Sequence, residues 1–231
     1  MHKPFISLTF DDGWKSGITT AHPLLERYRM PATFYIISER IDDGRFPEYM
    51  NLADLQKIAG SGHEIGSHTK SHKHLPELSQ PEIWTEIFDG LTDLRAHGFQ
   101  PGTFAYPYGE WNPYIVKQVR EAGFFAARSI IDDTFNDERT NPLLLRGRGV
   151  HEEHSVQQVV DWIKEAVEAK TWLILIFHQI EPAAALREKE WIYGTTPEVL
   201  EQILAHIHKE NIQVLTLEKG MEKLLQETLQ K

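Results

Sequence analysis

The chain has no cysteine, which excludes disulfide staples and thiolate metal sites, so any bound metal must rest on His, Asp or Glu. That composition fits either redox compartment. No apolar run approaches the roughly 18 residues of a membrane span; the longest is Trp172 to Phe177, and no bilayer-crossing segment is expected. There is no internal repeat, low-complexity tract or Gly/Ser-rich linker to mark a domain boundary, so residues 1–231 are read as one domain. Positive charge is scarce: 24 Lys and Arg face 34 Asp and Glu, giving a formal charge of −10. Without clustered basic residues, binding to nucleic acid or an anionic membrane is not expected, and a substrate should be neutral or only locally charged. Met1-His2-Lys3-Pro4 runs directly into apolar residues, leaving no room for a secretory signal. The expected location is the cytoplasm, unless the chain is an excised domain of a secreted or envelope protein.

What is present is enough apolar material, 41% of 231 residues, for a full core. Short β-forming runs recur at 5–10, 32–38, 64–68, 103–106, 124–128, 173–177 and 212–217, mostly separated by helical patterns. Ile83, Ile87, Leu91 and Leu94 form one helical stripe; Leu200, Ile203, Leu204 and Ile207 form another. Capping boxes are expected at Ser79/Glu82, Ser155/Gln158 and Thr195/Glu198. Seven strands alternating with helices, with no Gly-rich phosphate loop after the first, favour a parallel barrel over an open doubly wound sheet. The irregular stretches 130–141 and 178–194 are candidate walls of a cleft.

Four motifs carry potential chemistry. Thr9-Phe10-Asp11-Asp12-Gly13 ends the first strand; two adjacent carboxylates are costly to bury unless a cation or proton divides their roles, although Asp-Asp-Gly also makes an ordinary turn. His68 and His72 lie four apart, a spacing that on a helical turn aims two imidazoles at one metal, zinc or another late divalent ion. Surface helices produce such pairs by chance, and nearby His74 illustrates the point. Tyr106-Pro107-Tyr108-Gly109 ends a later strand as a turn whose backbone N–H can face a developing oxyanion. His178 closes the run Leu173–Phe177, well placed for acid–base work or simply a packed structural histidine. All four fall at the C-terminal ends of predicted parallel strands, where barrel enzymes build their sites.

In this order, Thr-Phe-Asp-Asp-Gly, His-Thr-x-x-His, Pro-Tyr-Gly and Leu-x-x-His resemble the polysaccharide deacetylase family, also called carbohydrate esterase family 4 or the NodB homology domain. The resemblance implies a distorted (β/α) barrel with about seven strands and hydrolysis of N- or O-acetyl groups on sugars, so that an acetylated carbohydrate is the expected partner. It implies Asp12, His68 and His72 as ligands of a divalent metal, usually zinc or cobalt. By the same resemblance Asp11 is the general base, the Tyr108 N–H an oxyanion donor, and His178 the proton donor to the leaving group. Pro107 and Gly109, with Trp191 and Tyr193 of the long loop, are candidate substrate contacts, while Tyr106 and Trp111 are as readily explained by packing.

The sequence departs from the family where an Arg, two residues before the motif's Pro, orients the catalytic Asp: Ala105 stands here. Arg128 is the preferred substitute, with Arg146 and Arg148 behind it, each expected to be exposed. The family's Asp-Trp pair supporting the catalytic His has no convincing match, since Asp161-Trp162 lies on a predicted helix. His151-Glu152-Glu153-His154 is read as a solvated loop because it lacks the metalloprotease spacing. Two other readings follow from Ala105: hydrolysis of a non-sugar or cyclic amide, as in allantoinase-like barrels, and a carbohydrate-binding protein with impaired turnover.

Overall fold

The computed structural model describes residues 3–131 and 135–229. Seven parallel strands close into a barrel: β1 (Phe5–Phe10), β2 (Thr33–Ile36), β3 (Glu64–Ser67), β4 (Thr103–Ala105), β5 (Ala126–Ile130), β6 (Leu145–Gly149) and β7 (Trp172–Phe177). β1 closes the ring by pairing with β7 along its whole length and with β2 at Thr9 and Phe10 alone. Below that contact β1 and β2 diverge, and β8 (Gln213–Val214) pairs with Phe5 and Ile6 in the gap.

The barrel count expected from the sequence is correct, but its membership is not. The sixth strand, Leu145-Arg146-Gly147-Arg148-Gly149, carries two arginines and two glycines and gives no apolar-run signal. Its glycines are required by the neighbours: a Cβ at Gly147 would lie 2.6 Å from Ile176 Cδ1 and 2.8 Å from Arg128 Cδ. The run expected at 212–217 contributes only the two-residue β8 outside the ring.

Around the barrel lie α1 (His22–Tyr28), α2 (Leu52–Gly60), α3 (Gln80–Ala96), α4 (Pro113–Ala122), α5 (Val156–Ala169), α6 (Ala183–Glu188), α7 (Pro197–Lys209) and α8 (Leu217–Leu229). Both predicted apolar stripes, on α3 and α7, are buried. The boxes at Ser79/Glu82 and Ser155/Gln158 form, whereas α7 is capped one residue later than expected, by Thr196 accepting from the Val199 N–H; Thr195 instead continues the chain pairing with Gln179. Both faces of β1 and β7 are buried, which explains the uninterrupted apolar sequence of β7, while Ser7 and Thr9 of β1 are paired with the Trp172 indole N–H and the Leu175 carbonyl. α8 covers the floor, packing Leu217, Met221 and Leu224 on Phe5, Trp172 and Ile174. Among the described residues no helix is long and apolar enough to cross a membrane.

Polar groups line the floor. Glu64 accepts from the Thr33 hydroxyl at 2.8 Å, the Thr103 hydroxyl and the Glu218 backbone N–H at 2.9 Å, so it ties β2, β3, β4 and the start of α8 together. Burial raises its pKa despite these donors. The mouth at the opposite, C-terminal ends of the strands is where the candidate chemistry collects.

Candidate active site

Asp12 follows β1 with φ of 70°, and Gly13 follows it with φ of 81°. This left-handed step lifts the Asp12 carboxylate off the strand direction, and the Trp14 indole N–H holds Oδ2 at 2.9 Å. Its other oxygen, Oδ1, is buried without a hydrogen-bond donor. Facing it are His72 Nε2 at 3.3 Å and His68 Nε2 at 3.6 Å, with the two nitrogens 3.1 Å apart. The expected helical turn for the two histidines is absent. They sit on a bend after β3, where Thr69 and His72 take φ of 65° and 64°, and Lys70 and Ser71 donate from their backbone to Glu86 of α3. Gly90 lets this bend press onto α3, since a Cβ there would lie 2.6 Å from the Thr69 carbonyl carbon.

The donor set fits a divalent cation. His68 Nδ1 donates to the Ala105 carbonyl at 2.8 Å, which leaves its Nε2 lone pair directed at Asp12 and His72. Burial lowers the pKa of His68, and burial together with His68 pushes His72 down to about 3, so both rings are neutral near pH 7. Burial pushes Asp12 upward, but His178, His68, His72 and the Trp14 N–H more than offset it, and the carboxyl stays ionised. An anionic oxygen without a donor, opposite two neutral imidazole nitrogens, is a set of atoms that a cation would join. Tetrahedral ligands about 2.0–2.1 Å from zinc would stand roughly 3.3 Å apart, close to the spacing found.

Beside this cluster Asp11 is buried, and Arg128 Nη2 donates to both of its oxygens at 2.6 Å. Arg128 is fully buried rather than exposed as expected. β4 and β5 pair Ala105 with Arg128, so the guanidinium arrives from the neighbouring strand at the level where the family's arginine would stand. Gly147 makes the space for it, and its guanidinium carbon lies 5.1 Å from the Tyr35 ring centre. Arg146 and Arg148 point elsewhere, Arg146 to the Phe135 carbonyl and Arg148 over Phe135 and Trp162 with Glu165 at 3.8 Å. His178 Nε2 lies 3.9 Å from Asp11 Oδ2, beyond a hydrogen bond, and its Nδ1 has no partner among the described residues.

Tyr108 adopts φ of 57° in the turn after β4. Its ring stacks on His74 at 3.8 Å, and His74 in turn contacts Glu110 at 3.0 Å. Pro107 is buried and Gly109 backs onto Ile130, so these two shape the turn while Tyr106, Tyr108 and Ile130 face the cleft. That cleft, about 380 Å³, is also lined by Trp14, Arg40, Tyr49, His151, Gln179 and Tyr193. Tyr193 is half exposed beside His178, whereas Trp191 packs against Trp14 at 5.1 Å behind the wall. Of the two loops expected to wall the cleft, 178–194 does so; 130–141 contributes Ile130, then reaches the floor, where Asn136 pairs with Trp172, and its residues 132–134 lie outside the described residues.

Trp14, Arg40, Tyr49 and His151 were not singled out as cleft residues by sequence. Trp14 alone had a local signal, an indole donor two residues after the metal-facing Asp. His151, read as part of a solvated loop, lies over the end of β6 because Gly149 has no Cβ to meet its ring. Its ring centre is 6.2 Å from that of His178.

The profile described as "Polysaccharide deacetylase" matches residues 1–127. Chitin deacetylase 2 of Saccharomyces cerevisiae is 31% identical over 187 residues, 80% of this chain and 53% of that protein. Peptidoglycan-N-acetylglucosamine deacetylase of Bacillus cereus is 30% identical over 133 residues, 57% of this chain and 46% of that protein. The chain thus spans about half the length of the curated relatives it matches. In fold it is similar to the Xyl-CE4 domain of a multidomain xylanase from the hindgut metagenome of Trinervitermes trinervoides, with TM-score 0.66, 22% identity, and 96% and 91% of the two chains covered.

Proposed function

The chain belongs to the polysaccharide deacetylase family, and on that premise we propose that it is a divalent-metal-dependent hydrolase that removes acetyl groups from a carbohydrate. The preferred substrate class is an N-acetylated, GlcNAc-containing polysaccharide or oligosaccharide. The observation that carries this reading is the donorless Asp12 oxygen facing two imidazole nitrogens, with a separate carboxylate beside it.

In this reading Asp12, His68 and His72 hold zinc, or cobalt in its place. When bound, the ion supplies Lewis acidity that makes water a nucleophile near neutral pH and polarises the acetyl carbonyl. Asp11 takes the proton from the attacking water. Arg128 fixes the plane of that carboxylate through contacts to both oxygens. The Tyr108 N–H, set by its left-handed backbone and the His74 stack, donates to the developing oxyanion, an interaction whose loss typically costs about 2.7–4 kcal/mol. His178, across from Asp11, delivers a proton to the departing amine. Arg128 occupies the role for which Ala105 is unsuited, which weakens the case for a non-sugar amide or an impaired binding protein.

Acetate release from chitin, peptidoglycan and xylan fragments, measured after chelation and after return of single metals, tests the reading. The expected result is release that chelation stops and zinc or cobalt restores. Ring opening of a cyclic amide without acetate would replace it with the second enzymatic reading.

A further inference from the structure

Among the described residues, one cation at the mouth has no counter-charge within ion-pair distance. Arg40 ends the short turn Ser38–Arg40 that follows β2, and its side chain borders both the catalytic cleft and an adjoining cavity of about 210 Å³. Its guanidinium carbon sits 4.3 Å from the Tyr49 ring centre and 5.5 Å from that of Phe46. Such rings support a cation without neutralising it. Arg40 Nε is buried with no acceptor, and no carboxylate among the described residues lies within ion-pair distance of the guanidinium. Of the other charges around the adjoining cavity, Lys15 pairs with Asp54 and Asp43 with Arg45, while Asp42 Oδ1 accepts the Leu52 N–H at 3.1 Å and keeps its negative charge. At the reaction centre Asp11 and Arg128 offset each other, and among the described residues Arg40 is the cation of this wall without an ion-pair partner. It is near the centre, since it lines the same cleft as Asp12 and His72.

We propose that Arg40 recognises an anionic substituent, a carboxylate or phosphate, carried by the acetylated sugar at this edge of the catalytic cleft. A planar guanidinium matches either oxyanion, and a neutral sugar would leave its charge unanswered in a partly dehydrated cleft. This assignment rests on the deacetylase reading and names the kind of sugar that the site selects. It also accommodates a chain of formal charge −10, because the attraction is confined to one wall.

The test is calorimetric binding of three probes to the zinc-loaded chain: N-acetylglucosamine, N-acetylmuramic acid bearing a carboxylate, and N-acetylglucosamine 6-phosphate. Arg40→Gln and Arg40→Lys are measured alongside, with thermal melts to verify folding. At least one anionic sugar is expected to bind about tenfold or more tightly than the neutral one, as one charge-assisted contact would give. Which anion gains identifies the source. That preference should collapse toward unity in Arg40→Gln and return in part in Arg40→Lys. Equal binding of all three probes overturns the assignment, as does a preference that survives Arg40→Gln, which would place the anion on the metal or on Lys15. Acetate release is scored separately: an Arg40-dependent preference with no release from any acetylated substrate would sink the deacetylase reading and leave the anion site standing.

Discussion

At the floor of the barrel Glu64 is surrounded by hydroxyl and amide donors, whereas at the mouth Asp12 keeps an oxygen with no donor, and two imidazoles turn toward it. Left-handed residues also lead into the strands at the floor, where Arg29, Gly62, Gly123 and Lys170 lie in the turns that end helices, but at the mouth Asp12, Thr69, His72 and Tyr108 take positive φ within the candidate site itself. Such conformations each cost on the order of 1–3 kcal/mol, less for Asp. The same fold thus surrounds Glu64 with donors where it needs rigidity and leaves Asp12 poised where it needs a ligand. Stability and chemistry are assigned to opposite ends, and this separation can be broken experimentally.

Asp12→Asn should give the largest effect. Loss of the anionic ligand should abolish metal retention, read by elemental analysis, and lower turnover by about 10³-fold or more, since the ion supplies several kcal/mol. The melting temperature of the metal-free protein should not fall, because no satisfied bond at that oxygen is lost; a marked fall would mean the mouth also carries the fold. Arg128→Ala comes next and crosses the boundary between the two roles. It strands buried Asp11, so a loss of about 3–5 kcal/mol is expected in denaturant titration. Among folded molecules kcat should drop about 10- to 100-fold with KM little changed, and Arg128→Lys should recover part of the loss. An unchanged kcat would remove Arg128 from the catalytic apparatus.

Glu64→Ala probes the floor alone. Stranding two hydroxyls and an amide should cost about 3 kcal/mol, or roughly 6–12 °C in melting temperature for a chain of this size. Zinc affinity should be unaltered, and a weaker affinity would show the ends to be coupled. The smallest effect is expected from pH. His63, just before β3, accepts the Ala32 N–H on Nδ1 at 3.0 Å, and burial lowers its pKa from 6.5 to about 4. Between those values the unfolded chain binds more protons, so this contribution is complete above pH 6.5 and is lost as pH falls toward 4. His63→Gln should flatten the decline of melting temperature over that interval, and an equally steep decline would assign it to other groups.

The mouth was more legible in sequence than its surroundings. Asp11, Asp12, His68, His72, Tyr108 and His178 sit beside strand ends, and short motifs record such positions because several residues must be fixed in one turn. Arg128 was reachable because the family's arginine was missing and a substitute was sought, but only the β4–β5 register brings it beside Ala105. β6 escaped because its glycines answer side chains contributed by β5, β7 and residue 151, a constraint that local periodicity does not contain. Arg40, Tyr49 and His151 escaped for a related reason: each belongs to a crossover loop whose path is set by tertiary packing. The histidine spacing suggested a helical turn, yet contacts with Glu86 and Gly90 on α3 impose a bend instead.

The splay between β1 and β2 has a consequence for biosynthesis. Residues 213–218 fill that splay, with Leu215 donating to Ile6, Leu217 to the Thr33 hydroxyl and Glu218 to Glu64. A ribosome delivers every residue of the reaction centre before it delivers this plug. The nascent molecule therefore passes through a stage in which the ligands have all emerged while water still reaches Glu64 from below, and sealing waits for the last helix.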